Sequence, residues 1–316
     1  MAEQKSDMAL LAKINKEKWL YIAAVAFAVI FIITRMDMIA VISAALFIIG
    51  VIAESVESAK KNGVMHEIKE IVIAIAVALA VLFAASMIFG TSSPFNAVVS
   101  CSMLNTLQRG DVVLLQNAPV NTQEVEITRE QFNTIIENGE EHYICTKCTD
   151  DGITVRPCLL DPRTGQEVHG KVLEYKCGVC NVKISGKDAQ AICTLGVSIN
   201  GKYFDATNRS GDIIVYRPKR EDLFSSIGEI IHRAIVRIRV ENESYYLIKG
   251  DNNPMFDTQA FDPSFKKTNS LVNSTQVLGR SWLTLPFIGY VKLVGSGQLA
   301  LPAGCDMLMG EPVKQN

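Results

Sequence analysis

Three long apolar blocks fill most of the first 90 residues, and they restrict this 316-residue chain more than any other feature. Residues 19–34 (WLYIAAVAFAVIFIIT) and 38–53 (MIAVISAALFIIGVIA) each run 16 residues without a charge, and 71–90 (IVIAIAVALAVLFAASMIFG) runs 20. At about 1.5 Å per residue, a 20-residue helix matches a hydrocarbon core of roughly 30 Å, while 16 residues fall a little short. The third block therefore reads as a spanning helix. The first two, split only by Arg35-Met36-Asp37, read as a tight hairpin whose short arms need snorkelling or local thinning. Buried core helices are the other reading, but no polar residues alternate along the blocks as a half-exposed helix requires. The first block is not read as a cleavable signal peptide. Thr34-Arg35-Met36-Asp37 lacks the small-x-small pattern, and more apolar sequence follows.

Loop charges set the orientation. Lys5, Lys13, Lys16 and Lys18 precede the first block, and Lys60, Lys61 and Lys69 lie between the second and third. Only Arg35 sits in the hairpin turn. Positive-inside counting then expects a cytoplasmic N-terminus, a multi-pass anchor in the cell membrane, and everything after about residue 91 outside it. The chain as a whole has 31 Lys+Arg against 33 Asp+Glu, so no basic field suits nucleic acid as a partner. With 48% apolar and 20% charged residues, it is too apolar for a disordered chain.

Beyond Gly90 the pattern changes to short β-type runs at 111–116, 213–216, 230–240, 245–248 and 289–294, separated by Gly, Asn, Asp and Pro. No helical stripe of useful length and no Gly-rich phosphate loop occurs among them. Trp282, Leu283, Leu285, Phe287 and Ile288 read as an ordinary strand facing the core, with dipping into the outer membrane interface as the other reading. An all-β ectodomain on a helical membrane anchor is expected.

Three clusters carry possible chemistry. Ser100-Cys101-Ser102-Met103 lies just beyond the third block, within about 40 Å of extended chain. A nucleophilic serine needs a base, a group to orient that base, and donors for the oxyanion. Of the four histidines, His66 falls on the other side of the membrane, and His142 and His169 lie in the cysteine-bearing segment, where they read as surface residues. His232 remains, in Ile230-Ile231-His232-Arg233, although a satisfied core histidine is an equal reading of that stretch alone. Asp251 and Asp257 follow in Lys249–Asp257 (KGDNNPMFD), which is also plain turn chemistry. Spacing does not say which carboxylate faces His232.

Taken together, these segments resemble signal peptidase I of the archaeal and endoplasmic-reticulum type. Residues 94–103 (PFNAVVSCSM) are similar to its nucleophile box, 107–114 (LQRGDVVL) to the continuation, and 211–218 (GDIIVYRP) to the next strand. IIHR at 230–233 has histidine where bacterial relatives have lysine, Lys249–Asp257 resembles the acidic box, and 277–289 the last strand. The resemblance implies a membrane-bound Ser-His-Asp endopeptidase that removes signal peptides from secretory preproteins. Ser102 would be the nucleophile and His232 the general base, with Asp257 favoured over Asp251 for the acidic function. The Ser100 hydroxyl and the Ser102 N–H would form the oxyanion hole, and no cofactor is needed for catalysis. Signal peptides and the lipid bilayer are the implied partners, with the secretion translocon left open as a third. Two departures stand out. Cys101 occupies a position that is usually Gly, and Leu104-Asn105 one that is usually Glu-Pro or similar.

The resulting division is an anchor at 1–92, a catalytic β domain at 93–116 and 211–300, an insertion at 117–210 and a tail at 301–316. The insertion holds Cys145-x-x-Cys148 and Cys177-x-x-Cys180. Paired knuckles of this kind suit a structural, four-thiolate zinc ribbon, the leading reading here. An extracytoplasmic location favours disulfides instead, and free thiols are the third alternative. The competing function is a non-catalytic, membrane-anchored zinc-ribbon protein that binds a partner on a peptidase-like scaffold. Intact Ser102, His232, Asp251 and Asp257 argue against it.

Overall fold

The computed structural model describes residues 2–150, 154–298, 300–302 and 304–313, with backbone alone for 2–17, 150 and 154. Three helices come first: α1 (Ala2–Thr34), α2 (Asp37–Asn62) and α3 (Val64–Phe89). Each apolar block lies within a longer helix, because the polar flanks continue the same backbone. Among the described residues α2 and α3 are long and apolar enough to cross a membrane, and Lys18–Thr34 is a shorter apolar helix. Arg35, at φ 56, turns α1 into α2. The two helices pack closely enough that the buried Ser43 hydroxyl donates to the Ala24 carbonyl at 2.6 Å. A hydroxyl between apolar helices needs such an acceptor.

The tip of this hairpin meets the β domain. Phe31 packs its ring on Phe287 and Tyr290, Arg35 donates to the Gln108 side-chain oxygen at 3.2 Å, and the Tyr290 hydroxyl donates to Asp37. The far end of α3 arrives at the same domain, where the Asn117 N–H bonds the Phe89 carbonyl and Trp282 lies against the Phe89 ring. Trp282 and Leu283 are exposed there rather than turned into the core.

The main sheet is eight-stranded among the described residues and forms a half-barrel. Its antiparallel path runs Phe95–Ala97, Val112–Gln116, Val277–Leu285, Ile213–Tyr216, Ile230–Val240, Glu243–Lys249, Val272–Asn273, and Gln123–Glu126 joins Ile230–Val240 in parallel. Two expectations fail. The capped helix α4 (Arg129–Asn138) occupies a stretch with no expected helix, begun by a capping box of Thr128 and Gln131. Residues 289–294, expected as a strand, form the short helix α5 (Tyr290–Gly295), whose Tyr290 and Leu293 pack onto Phe31, Ala40 and Ala44 of the hairpin. An apolar run of six residues suits either backbone, and the hairpin decided it.

Two smaller sheets follow α4. One pairs Ile144–Asp150 with Thr154–Asp161 and Gln166–Glu167; the other pairs Leu173–Ile184, Lys187–Ile199 and Lys202–Asp205. Met307–Pro312, in the segment read as a tail, adds a further strand to Leu173–Ile184. Val197, Ile199 and Phe204 share one core with Val236, Ile238 and Leu247 of the main sheet and with Phe256 beyond it, so the inserted residues pack into the β domain itself.

The zinc expectation is overturned. Cys145 bonds Cys177, Cys148 bonds Cys158, Cys180 bonds Cys193 and Cys101 bonds Cys305. No cysteine is free, and no group of metal-ligating side chains occurs among the described residues. The reason lies in the backbone. Both C-x-x-C motifs sit within strands, not in tight turns, and residues three apart on a strand point to opposite faces. Cys145 and Cys148 therefore cannot converge on one ion. Cys148 and Cys180 instead reach diagonal neighbours on the adjacent strand, where Thr146 is opposite Cys158 and Gly178 opposite Cys193.

Candidate active site

The serine loop leaves the edge strand Phe95–Ala97 and is held from behind. Val98 exchanges backbone bonds with Asp111 and Gly110, each 2.8 Å, and Met103 is buried with Leu107 in the core beneath. From the other side the loop after Glu243–Lys249 docks onto it: the Asn252 N–H donates to the Ser102 carbonyl at 2.8 Å. Only glycine fits at 250, since a Cβ there would lie 2.6 Å from the Ser102 carbonyl oxygen. The buried Asn252 side chain ties three segments together. Its amide donates to the carbonyls of Cys101 at 3.0 Å and Met307 at 2.8 Å, and its oxygen accepts from the Met309 N–H at 2.7 Å. The Cys101–Cys305 disulfide closes the same junction covalently, which is what replaces glycine at 101. Cys101 needs no left-handed backbone; the positive φ in this loop belongs to Asn105, at 73°.

His232 lies opposite Ile214 on the central strands of the sheet and is 5% exposed. Its Nε2 is 2.9 Å from the Ser102 Oγ and its Nδ1 2.7 Å from Asp257 Oδ2. With Nδ1–H donating to the carboxylate, Nε2 is left as the acceptor for the serine hydroxyl. Asp257 is also buried and opens a 3₁₀ turn, Asp257–Gln259. The Tyr216 hydroxyl donates to the same Oδ2 at 2.9 Å, and the Asn269 amide donates to the Asp257 backbone carbonyl at 2.8 Å. Burial and the neighbouring Asp257 charge push the Tyr216 hydroxyl well above its ordinary range, so it stays a donor. Ser100 Oγ lies 3.1 Å from Ser102 Oγ.

Asp251 takes a different partner. Arg233, the residue after His232, points to the opposite face of the strand. It grips Asp251 through two bonds of 2.8 and 2.7 Å, and Thr106 donates to the same carboxylate. Burial raises the Asp251 carboxyl, but Arg233 and Thr106 outweigh it and hold the group below the usual carboxylate range. Lys249 pairs with Arg233 across the strands and donates to the Gly250 carbonyl at 3.1 Å; no bond joins it to Ser102. Burial lowers its ammonium to about 8, partly opposed by Asp251 and Asp257.

Behind Asp257, His142 is not the surface residue expected. Its Nδ1 meets the Thr258 carbonyl at 3.2 Å, and the Tyr175 hydroxyl bonds Thr258 Oγ1 at 2.9 Å. The adjoining Glu141 is buried, which pushes its carboxyl up to about 8.

A cleft of about 210 Å³ opens at the serine and histidine, walled by Ala97, Val99, Phe224, Ile227 and Ile231. Its lining is mostly apolar. Sequence reasoning missed Tyr216, Arg233, Asn252 and Asn269. None of the four left a sequence signal: Tyr216 shares the face of His232 only because Ile214, two residues before it, pairs with His232.

A half-barrel bearing a serine, a histidine and a carboxylate in one hydrogen-bonded line is an arrangement that can activate a hydroxyl as a nucleophile. No protein-family profile matches the chain. It is 23% identical over 207 residues to an uncharacterized protein of Methanocaldococcus jannaschii, covering 64% of this chain and 83% of that one. It is 29% identical over 90 residues to a signal peptidase complex catalytic subunit of Clavispora lusitaniae, and 30% identical over 84 residues to that of Chaetomium globosum. These matches cover 28% and 27% of the chain, and it spans 49% and 44% of the subunits themselves. The similarity to signal peptidase catalytic subunits is thus weak and partial.

Proposed function

We propose that this chain is a membrane-anchored serine endopeptidase of the signal-peptidase type, cutting N-terminal signal peptides from exported preproteins. The observation that carries the reading is the buried line Ser102–His232–Asp257, joined at 2.9 and 2.7 Å. His232 takes the hydroxyl proton as Ser102 Oγ attacks the scissile carbonyl, and Asp257, braced by Tyr216, stabilises the imidazolium. His232 then protonates the leaving amine, and water hydrolyses the acyl-enzyme by the same route in reverse. The Ser102 N–H and the Ser100 hydroxyl receive the oxyanion; each such donor is worth roughly 3–4 kcal/mol in serine proteases.

The anchor supports the same reading. The α1–α2 turn and the end of α3 both meet the β domain, as they do if the N-terminus is cytoplasmic and the domain lies outside. Four disulfides suit an oxidising, extracytoplasmic compartment. Phe89 and Trp282 would then mark the outer interface, placing Ser102 where the end of a substrate's apolar segment emerges.

The test is cleavage of a preprotein with an Ala-x-Ala site by the full chain in liposomes, against Ser102→Ala and His232→Ala. Cleavage by the wild type and a loss of about 10⁴–10⁶-fold in each variant is expected. Folded wild type that cuts nothing, or a His232→Ala variant that cuts normally, would defeat the reading.

A further inference from the structure

A second cavity lies beside the cleft rather than in it. It measures about 670 Å³, the size of a ligand pocket, and Asn253 lines both spaces. Its walls come largely from the segments outside the signal-peptidase resemblance: the Cys180–Cys193 disulfide, Thr194 and residues 206–209 of the insertion, and residues 309–312 of the C-terminal strand. Both segments are fixed to the serine loop, one through Asn252 and the Cys101–Cys305 bond, the other by pairing with that C-terminal strand. A cavity assembled this way keeps its position relative to Ser102.

Its chemistry differs from that of the cleft. Lys249 lines it, is 8% exposed, and among the described residues has no carboxylate within ion-pair distance; its one bond goes to the Gly250 carbonyl. An ammonium carries three donors, and leaving donors unmet in a buried site is costly. Arg209 lines the cavity as well, close enough that its charge acts on Lys249. Asp251, though present, is already neutralised by Arg233, which leaves Glu311 as the opposing charge. The site therefore presents more positive than negative free charge.

We propose that this cavity receives the first residues after the scissile bond and selects an acidic side chain among them, bound by Lys249 and Arg209. This rests on the peptidase reading and extends it. One arm of a peptide bound at Ser102 fills the apolar cleft, and the other leaves past Asn253 into the cavity. The link between the two spaces is Asn253, in the loop whose Asn252 N–H donates to the Ser102 carbonyl, so in this proposal Lys249 faces the second to fourth residues of the product.

The test uses the full chain in liposomes and preproteins with Ala, Glu or Lys at the second to fourth positions after the bond, read as kcat/KM. The Glu substrates should be cut about tenfold better than Ala and the Lys substrates worse than either, the scale of a partly buried charge pair. Lys249→Met should bring the Glu-to-Ala ratio close to one. Arg209→Glu, a change at an exposed residue that decides the matter if Lys249→Met does not fold, should turn the preference toward Lys. Equal cleavage of the three by wild type, or an unchanged ratio in Arg209→Glu, overturns the subsite while the Ala substrate still upholds the peptidase. Failure to cut any substrate overturns both.

Discussion

The histidine strand and the two cysteine strands obey one rule and put it to different uses. On Ile230–Val240, alternation sends His232 to one face and Arg233 to the other, so Asp257 and Asp251 are divided between them. On Ile144–Asp150 and Leu173–Ile184 the same alternation separates the two cysteines of each motif, so each thiol finds a different partner strand. In the main sheet the result is a hydrogen-bonded Ser-His-Asp line beside a buried ion pair. In the inserted sheets it is a set of covalent staples between strands and between the two small sheets. A motif that looks like a single functional unit in sequence is split whenever it falls on a strand.

The sharpest way to break this comparison is to exchange the fates of the two aspartates. Asp257→Asn should lower kcat by about 10⁴-fold with little loss of fold, the scale seen when a triad carboxylate loses its charge. Asp251→Asn should leave Arg233 buried without its anion and destabilise the protein by about 3–5 kcal/mol. Turnover should change far less than in Asp257→Asn. Steady-state cleavage and denaturant unfolding of both variants would reveal a reversed pattern if the assignment were wrong.

A smaller effect is expected in the staples. Replacing Cys145 and Cys177 together by serine should cost about 2–5 kcal/mol, and a chelator should leave the melting temperature of the wild type unchanged. A chelator-induced drop in melting temperature would restore the metal.

The last predicted effect concerns Glu141, behind Asp257. Its carboxyl lies near 8 in the fold and near 4.5 when unfolded, so between those values the native state holds the extra proton. Stability should therefore fall as pH rises from about 5 to 8. His142, lowered by burial, opposes this with a gain in stability as pH rises toward 6.5. Melting curves across that range should flatten their downward slope in Glu141→Gln. A wild-type slope identical to that of the variant would show that Glu141 stays charged.

Much of the site was legible before the fold was known. Ser102 follows an apolar anchor at short range, and His232 is the one histidine left after topology and the cysteine segment take the others. Asp257 was favoured over Asp251 only by resemblance, and the register of the histidine strand supplies the reason. The zinc expectation treats C-x-x-C as a turn, whereas both motifs lie on strands, Ile144–Asp150 and Leu173–Ile184. Helix α4 did leave a local signal, Thr128 and Gln131 around a short apolar stripe, that was passed over.

The sequence alone determined what depends on neighbours along the chain. Apolar run length accounts for the helices of the anchor, and β-type runs bounded by turn residues account for four of the eight described strands of the main sheet. Only the tertiary structure decided how distant segments pair. Cys101 and Cys305 stand 204 residues apart, and Asn252 joins the serine loop to a strand that looked like a tail. Such contacts depend on which strands lie side by side and in what register. A one-residue slip reverses every side chain, and no local pattern encodes that choice.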